Sequence, residues 1–258
     1  MIKIKPQISV IMPTYNGDKY ISKAIESVLG QTFSDIEFII INDGSIDDSL
    51  EIIKEYSLKD KRIIILNNEI NLGIQKSLNR GLHAAQGKYI ARIDADDVWI
   101  NPNKLQHQFN FLELNPGYVL VGTGARCVDE NSNYIKQYLK EKDDYKIRKT
   151  ILGYNCFIHS SVLFNKKQAL MVGGYSEESN ERHVEDYDLW LKLGTLGKMH
   201  NLQSFDVEYM IRKDSLSNKN QKEQIIKTIS VAHKYRKKYK KNIIINIMRN
   251  YARFLIHT

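Results

Sequence analysis

The regular pattern of the chain begins with the stretch ISVIMPTYNGDKYISKAIESVL, residues 8–29. Its first residues form a nearly continuous apolar run, as expected for a strand that is buried on both faces of a sheet. From Tyr20 to Leu29 the apolar residues instead recur at helical spacing and share one face. A buried strand followed by an amphipathic helix predicts the first unit of a parallel α/β sheet.

The same alternation continues to residue 93 and then becomes less regular. We predict further strands at 36–41, 63–66, 89–93, 119–122, 161–164 and 205–211. We predict helices at 49–58, 74–85, 104–114, 186–196, 221–240 and 243–256. Strands and helices in turn predict an α/β fold with a Rossmann-like, mostly parallel sheet flanked by helices, in one domain over residues 1–217.

The net charge of +8 is concentrated at the end of the chain. From Lys219 onward there are 11 Lys and Arg residues and one acid, Glu223, whereas the preceding part is nearly neutral. A neutral body with a basic tail does not favour nucleic acid as a partner. Because the basic residues alternate with apolar ones, we predict a basic amphipathic helical tail at 218–258 that lies on a membrane surface. The alternative is a helix that packs on the body or on a second copy of the chain, which leaves a homodimer open.

Cysteine content and the start of the chain bear on the compartment. The two cysteines, Cys127 and Cys156, have a spacing that indicates neither a zinc site nor a disulfide framework. Residues 1–6 lead into one short apolar run and do not resemble a signal peptide. An apolar window of about 18 residues, which would predict a transmembrane helix, is absent from the sequence. We therefore expect a cytoplasmic protein.

Polar residues collect where three of the predicted strands end. The first strand is followed by Pro13, Thr14, Tyr15 and Asn16. Asp43 follows the second strand, and Asp94, Asp96 and Asp97 follow the fourth. Parallel sheets bind ligands at the carboxyl ends of their strands. Each cluster alone is also common turn chemistry, but three of them at neighbouring strand ends predict a binding site.

The acidic residues need an explanation, because like charges this close repel and raise each other's pKa. An Asp-x-Asp pair suits a hard divalent cation, which takes oxygen ligands and keeps positions for water or phosphate. The alternative is a solvated acidic turn that caps the next helix. A second acidic pair, Glu185-Asp186, starts the predicted helix EDYDLWLKL and is interpreted either as helix capping or as a general base.

Five stretches, taken in order, resemble glycosyltransferase family 2, whose members are inverting enzymes with the GT-A type fold. They are SVIMPTYNGDKYISKAIESVLGQTF, EFIIINDGSIDDS, NLGIQKSLNRGLHAAQGKYIARIDADD, VGGY and EDYDLWLKL. The resemblance covers residues 7–217. It implies a nucleotide-binding half at 1–100 and an acceptor-binding half at 101–217.

The resemblance also implies a role for each cluster. The four residues at 13–16 would line the nucleotide pocket, and Asp43 would read the base. Asp94 would contact the ribose or the sugar, while Asp96 and its neighbour Asp97 would bind Mn²⁺ or Mg²⁺. Asp186 would deprotonate the acceptor hydroxyl, with Glu185 assisting or positioning the acceptor.

In two places the chain departs from the family pattern. A basic residue for the pyrophosphate is expected in the helix after N-x-G, but Lys76 and Arg80 lie four apart and neither is at the usual position. In the later Y-R-x-H pattern the histidine is replaced by Arg212, which can neutralise phosphate but is no metal ligand. The Q-x-x-R-W motif of processive members is absent, so we expect a single transfer per acceptor.

The expected function is a metal-dependent, inverting transfer of one sugar from a nucleotide-sugar donor, most simply a UDP-hexose. The resemblance implies a saccharide or polyprenyl-diphosphate-linked acceptor in bacterial O-antigen, capsule or lipooligosaccharide synthesis, at the inner face of the cytoplasmic membrane. One alternative is a nucleotidyltransferase that makes the sugar nucleotide, but it needs a Gly-rich basic loop that MPTYNGDKY lacks. The other alternative is a membrane-bound scaffold without catalysis, which the full acidic set disfavours.

Overall fold

The computed structural model describes residues 5–212 and 221–239. The strands are β1 Ile8–Thr14, β2 Ile36–Asp43, β3 Ile63–Asn68, β4 Tyr89–Arg92, β5 Val98–Trp99, β6 Tyr118–Val128, β7 Tyr134–Tyr138, β8 Leu163–Asn165 and β9 Lys198–Met210. The helices are α1 Ile21–Leu29, α2 Ser49–Lys59, α3 Ile74–Ala84, α4 Lys104–Leu114, α5 Asp144–Thr150, α6 Lys166–Met171, α7 Glu185–Gly194 and α8 Gln221–Tyr235. Up to β4, every predicted element is present within two residues of its predicted bounds.

Within the described residues, nine strands form one sheet in the order β3-β2-β1-β4-β8-β6-β9-β5, with β7 paired to β6. The first four strands in this order are parallel to one another. Strand β8 runs antiparallel to both of its neighbours, and β9 is parallel to β6. The prediction of a mostly parallel, Rossmann-like sheet flanked by helices is confirmed, and the sheet is continuous through both predicted halves.

The two faces of the sheet carry separate apolar cores, which explains the continuous apolar runs of its central strands. In β2, Ile39 and Ile41 belong to one cluster, which includes buried residues of α3 and α7. The alternate residues Phe38 and Ile40 belong to the other cluster, which includes residues of α1 and α4. Since successive side chains of a strand point to opposite faces, a strand covered on both sides must be apolar throughout.

The strand order places a crevice beside β1. Strands β2 and β3 lie on one side of β1 and β4 lies on the other, so the connections after β1 and β4 diverge at the carboxyl edge of the sheet. The polar residues that follow β1, β2 and β4 are thereby brought to the same edge.

Helix α8, which follows the predicted boundary at residue 218, packs on the body. Val231 and Tyr239 are buried in the same core cluster as α7. The Tyr235 hydroxyl donates to the fully buried Asp188 of α7 at 2.7 Å, and Lys234 pairs with the same carboxylate at 3.3 Å. Part of the apolar surface at 221–239 therefore packs on the protein core, whereas Ile226 is exposed.

The rest of the predicted tail, including the predicted helix at 243–256, lies outside the described residues. Among the helices of residues 5–212 and 221–239, none is long and apolar enough to cross a membrane.

Candidate active site

A cavity of about 510 Å³ opens at the carboxyl edge of the parallel strands. It extends from the loop after β1 to the first turn of α7. Its lining includes all four residues at 13–16, Asp43, Asp94, Asp96, Glu185, Asp186 and Arg212. The fold therefore brings ten of the predicted site residues to one cavity, although they come from five separate parts of the chain.

The loops after β1 and β2 are tied together by Asn16. Its backbone N–H donates to the Ser45 hydroxyl, and its side-chain oxygen accepts from the N–H of Ile46, both at 3.0 Å. Asn16 has a φ of 53°, a left-handed conformation that asparagine tolerates better than most residues. This linkage leaves the neighbouring Tyr15 ring half exposed at the cavity, where it can stack on a planar ligand.

Asp43 is buried, and backbone and side-chain donors hold its carboxylate. Oδ1 accepts from Asn68 at 2.6 Å and from the N–H of Leu72 at 2.9 Å, while Oδ2 accepts from the N–H of Gly73 at 2.9 Å. A carboxylate oxygen can accept about two hydrogen bonds. Oδ2 therefore keeps the capacity to accept one further N–H or O–H from a ligand in the cavity.

A buried arginine holds the Asp94 carboxylate in place. The Arg92 guanidinium, which is 2% exposed, donates through both terminal nitrogens to the Asp94 carboxylate. The Asp94 N–H also donates to the Ser160 hydroxyl at 3.0 Å. The positive charge of Arg92 offsets part of the repulsion between Asp94 and the neighbouring carboxylates.

Asp96 lines the cavity and pairs with Arg212 at 2.9 Å. The Arg212 guanidinium also lies over the Tyr20 ring, 5.4 Å from its centroid. Burial raises the pKa of Asp96, and the nearby Asp94 charge raises it further. Asp96 and Arg212 together present a carboxylate and a cation to the same part of the cavity.

Asp97, which was predicted with Asp96 as a metal ligand, does not line the cavity. Its side chain is 1% exposed, and its Oδ1 accepts from the N–H of Met210 at 3.0 Å. The chain turns at this point, with the Asp97 N–H donating to the Asp94 carbonyl at 3.2 Å. The turn directs Asp97 inward to anchor the end of β9, while burial raises its pKa well above the usual range.

Lys76 and Arg80, which were predicted as candidates for the diphosphate, also do not line the cavity. Both are exposed, since the buried residues of α3 include Leu78 and Leu82 on the opposite side. The Arg80 guanidinium donates to the carbonyl of Asn67 at 2.8 Å, so it is held against the end of β3. Among the described residues of the cavity wall, Arg212 is the predicted cation that remains for a diphosphate.

Two of the three acids in the first turn of α7, Glu185 and Asp186, line the cavity, and a helix N-terminus favours negative charge. The buried Glu185 accepts from the N–H of His183 at 2.6 Å, and burial together with the adjacent Asp186 raises its pKa to about 7. Asp186 is half buried and accepts from the Asn155 amide at 2.7 Å. Burial raises the pKa of Asp186, while the Asn155 hydrogen bond lowers it. A half-buried carboxylate at a cavity with a raised pKa is suited to general-base chemistry.

The family model described as Glycosyl transferase family 2 matches residues 9–170, which is more than half of the chain. The chain belongs to glycosyl transferase family 2. The resemblance predicted from the five sequence stretches is thereby confirmed, and the protein is a glycosyltransferase.

This family 2 glycosyltransferase is similar over most of its length to a named relative. It is 34% identical over 251 residues to the O-antigen biosynthesis glycosyltransferase WbnJ of Escherichia coli, with 96% of this chain and 94% of WbnJ covered.

Two solved structures share its fold. The S. aureus TarS 1–349 structure in complex with UDP-GlcNAc has a TM-score of 0.67 at 21% identity, covering 81% of this chain and 60% of that one. The mannosyltransferase PcManGT from Pyrobaculum calidifontis, in complex with GDP-Man and Mn²⁺, has a TM-score of 0.64 at 14% identity, covering 98% and 75%. Both likenesses confirm the GT-A fold.

Substitution of Glu185 in this glycosyltransferase should change how stability depends on pH. In the folded protein the pKa of Glu185 is about 7, whereas the ordinary pKa of a glutamate is 4.5. The folded state therefore binds more protons between these values, and the stability of the wild type falls as pH rises through this window. Since glutamine does not titrate, Glu185→Gln should be about 2–3 kcal/mol more stable than the wild type at pH 8.

Urea unfolding of both proteins at pH 8 and near pH 4 measures this effect. Near pH 4 Glu185 is protonated and resembles glutamine, so the two free energies of unfolding should be nearly equal. Equal stability at pH 8 as well would show that Glu185 ionises without cost in the folded state.

Several cavity residues of the glycosyltransferase escaped sequence reasoning. They include Arg92, Tyr138, Lys140 and Asn155. Tyr138 ends β7, a strand that was not predicted because it is short and mostly exposed. Arg92 is a charged residue inside an apolar strand, and this local signal could have identified it.

Proposed function

We propose that this glycosyltransferase is metal-dependent and inverting, and that it moves one sugar from a UDP-hexose to a saccharide or lipid-linked saccharide acceptor. The observation that carries the proposal is the single cavity with a nucleotide-type pocket at Asp43, carboxylates at Asp94 and Asp96, and a candidate base, Asp186. The solved structures with UDP-GlcNAc and with GDP-Man and Mn²⁺, which share the fold, support a nucleotide-sugar donor and a divalent cation.

The donor end follows from the hydrogen-bonding capacity of the residues. Tyr15 stacks on the base, and Asp43 Oδ2 accepts an N–H from its edge. Asp94, which Arg92 and Ser160 hold in place, accepts hydroxyl groups of the ribose or the sugar. Arg212 leaves Asp96 to neutralise the diphosphate, because guanidinium matches phosphate oxygens in geometry and charge.

The carboxylates of the cavity fit a cation only in combination with the donor. Within residues 5–212 and 221–239, no group of three or more His, Cys, Asp or Glu side chains is placed to hold a metal ion. Mg²⁺ and Mn²⁺ sites of this kind take one or two carboxylates and complete their coordination with substrate phosphates and water. Asp96 would hold the ion, which would stabilise the negative charge of the departing nucleoside diphosphate.

In the transfer step one proton moves, one bond forms and one bond breaks. The acceptor hydroxyl gives its proton to Asp186, and its oxygen forms a bond to the anomeric carbon on the face opposite the diphosphate. The bond between that carbon and the diphosphate oxygen breaks, and the nucleoside diphosphate leaves with the bonding electrons. Attack from the opposite face inverts the configuration of the anomeric carbon.

We further infer that the transfer belongs to the synthesis of a bacterial surface polysaccharide. The name of the WbnJ relative, an O-antigen biosynthesis glycosyltransferase, supports it. The basic and apolar sequence at 240–258 supports a position on the inner face of the cytoplasmic membrane, because such sequences bind anionic lipid surfaces. These residues lie outside the described part of the chain.

Calorimetric binding of a donor panel tests the proposal. UDP-glucose, UDP-galactose, UDP-GlcNAc and GDP-mannose are titrated with Mn²⁺, with Mg²⁺ and with EDTA. We expect one UDP-sugar to bind at least tenfold more tightly with metal than with EDTA. Equal binding in EDTA would contradict metal dependence. Release of pyrophosphate from UTP and a sugar phosphate would favour the nucleotidyltransferase, and failure of every nucleotide to bind would favour the scaffold.

A further inference from the structure

The side chain of Asn155 makes a direct contact with the candidate base. Its Nδ2 donates to Oδ2 of Asp186 at 2.7 Å, although the two residues are 31 positions apart in the chain. Asn155 comes from the segment between α5 and β8, whereas Asp186 belongs to the first turn of α7. Both residues line the cavity.

A second hydrogen bond determines which way the Asn155 amide faces. Its Oδ1 accepts from the backbone N–H of Phe157 at 3.1 Å. A backbone N–H can only donate, so the amide oxygen must face Phe157 and the NH₂ group must face Asp186. The amide therefore acts toward the carboxylate only as a donor.

The segment that carries Asn155 is anchored on the protein core. Cys156 is fully buried, and its carbonyl accepts from the Asn201 amide at 3.0 Å. Phe157 is 3% exposed, and its ring lies 6.2 Å from the ring of Trp190, which belongs to α7. Because the segment packs on the same helix that carries Asp186, the amide and the carboxylate are held at a constant separation.

The charged and titratable groups around Asp186 act on it in opposite directions. Asp94, across the cavity, disfavours its ionised form, while Arg92 favours it. Glu185 and Asp186 are coupled as adjacent acids, and Tyr175 is also in electrostatic contact with Asp186. The Asn155 hydrogen bond favours the ionised form, because the amide can donate only to a lone pair that the carboxylate provides.

We propose that Asn155 is a positioning residue that holds the Asp186 carboxylate in one orientation and favours its ionised form. This inference rests on the proposed function, in which Asp186 takes the proton of the acceptor hydroxyl. The Asn155 amide holds one oxygen, and the backbone N–H of Tyr187 also donates to the carboxylate, so the group cannot rotate freely. A carboxylate has about four lone-pair sites, so acceptor capacity remains for the hydroxyl of the sugar acceptor. A purely structural asparagine would contribute to folding without any effect on the titration of Asp186.

Asn155→Asp is the sharpest variant for the test. Aspartate keeps an oxygen for the N–H of Phe157 but replaces the donating NH₂ by a second oxygen that faces Asp186. Asn110→Asp is the matched control, because it makes the same charge change on the exposed surface of α4. Asn155→Ala, which removes donor and acceptor together without adding charge, is the second variant.

Carbon-13 NMR of protein labelled at the aspartate carboxyl carbon measures the titration of Asp186 directly. The Asp186 signal is assigned by its loss in Asp186→Asn. We expect its titration midpoint to move to higher pH in Asn155→Asp and in Asn155→Ala, and to stay in place in Asn110→Asp. An unchanged midpoint in Asn155→Ala would overturn the inference, because the charge added in Asn155→Asp raises the Asp186 midpoint by repulsion whatever the role of the amide.

A kinetic readout uses UDP release from a bound UDP-sugar with water as the acceptor. We expect Asn155→Ala to lower the rate about tenfold at neutral pH, to move the acid limb of the pH–rate profile upward, and to leave the dissociation constant of UDP unchanged. If Asp186→Asn is inactive but Asn155→Ala keeps the pH–rate profile of the wild type, the inference is overturned. If Asp186→Asn is itself active, the assignment of the base fails, and the NMR midpoint then decides on the Asn155 contact alone.

Discussion

Asp186→Asn should reduce transfer by about two to four orders of magnitude, which is the usual contribution of a positioned general base. Asparagine keeps an oxygen that can accept from the Asn155 amide, so the local hydrogen bond of the folded protein is preserved. What it removes is the capacity to take a proton from the acceptor hydroxyl. The rate of UDP release from the donor that binds, measured across pH 5–9, checks this expectation.

The same variant should bind UDP with unchanged affinity. Asp186 lies in the first turn of α7, whereas Asp43 is the last residue of β2 and Tyr15 follows β1, so these residues line the cavity from separate elements. Glu51→Gln is a suitable control, because it neutralises an exposed acid in the first turn of another helix. Wild-type turnover in Asp186→Asn would remove this residue from the mechanism, and a parallel loss in Glu51→Gln would show an unspecific effect of charge.

Asp96→Ala should abolish the effect of metal on UDP binding. In the wild type we expect Mn²⁺ to strengthen binding, since Asp96 and the diphosphate together complete the coordination of the ion. Without this carboxylate, affinity with Mn²⁺ should fall at least tenfold, because loss of even an indirect partner of a metal costs about that much. Titration calorimetry of UDP with Mn²⁺ and with EDTA gives the two affinities.

Asp97→Asn is the informative control for this experiment. Asparagine keeps an oxygen to accept from the N–H of Met210, and it removes a carboxylate whose pKa burial has already raised. Since Asp97 does not line the cavity, this variant should keep the full effect of Mn²⁺. Loss of the metal effect in Asp97→Asn, with Asp96→Ala unaffected, would restore Asp97 as the ligand.

The α/β repeat, and the edge of the sheet at which the polar clusters meet, could be predicted from the amino-acid sequence alone. Helical and strand periodicities depend on residues two to four positions apart, so they can be read without knowledge of the fold. The clusters at 13–16, at Asp43 and at Asp94 follow strands of this repeat, and parallel strands must bring their carboxyl ends to one edge.

Which of the clustered side chains face the cavity depends on the packing of the folded chain. Asp96 and Asp97 are adjacent and chemically identical, but a turn directs one to the cavity and the other to Met210, which is 113 positions away. Lys76 and Arg80 were correctly placed on one helical face, yet the packing of α3 on the sheet turned that face to solvent. Such choices depend on what packs against an element, which local spacing does not encode.

The same reason explains Asn155 and helix α8. Asn155 donates to Asp186, which is 31 positions away, and Tyr235 donates to the buried Asp188, which is 47 positions away. Neither pair forms a motif, because a hydrogen bond between distant residues leaves no spacing to recognise. Local periodicity thus set the elements and the edge of the sheet at which the cavity lies, while long-range packing set the orientation of Asp186, the exposure of the acids and the docking of the last described helix.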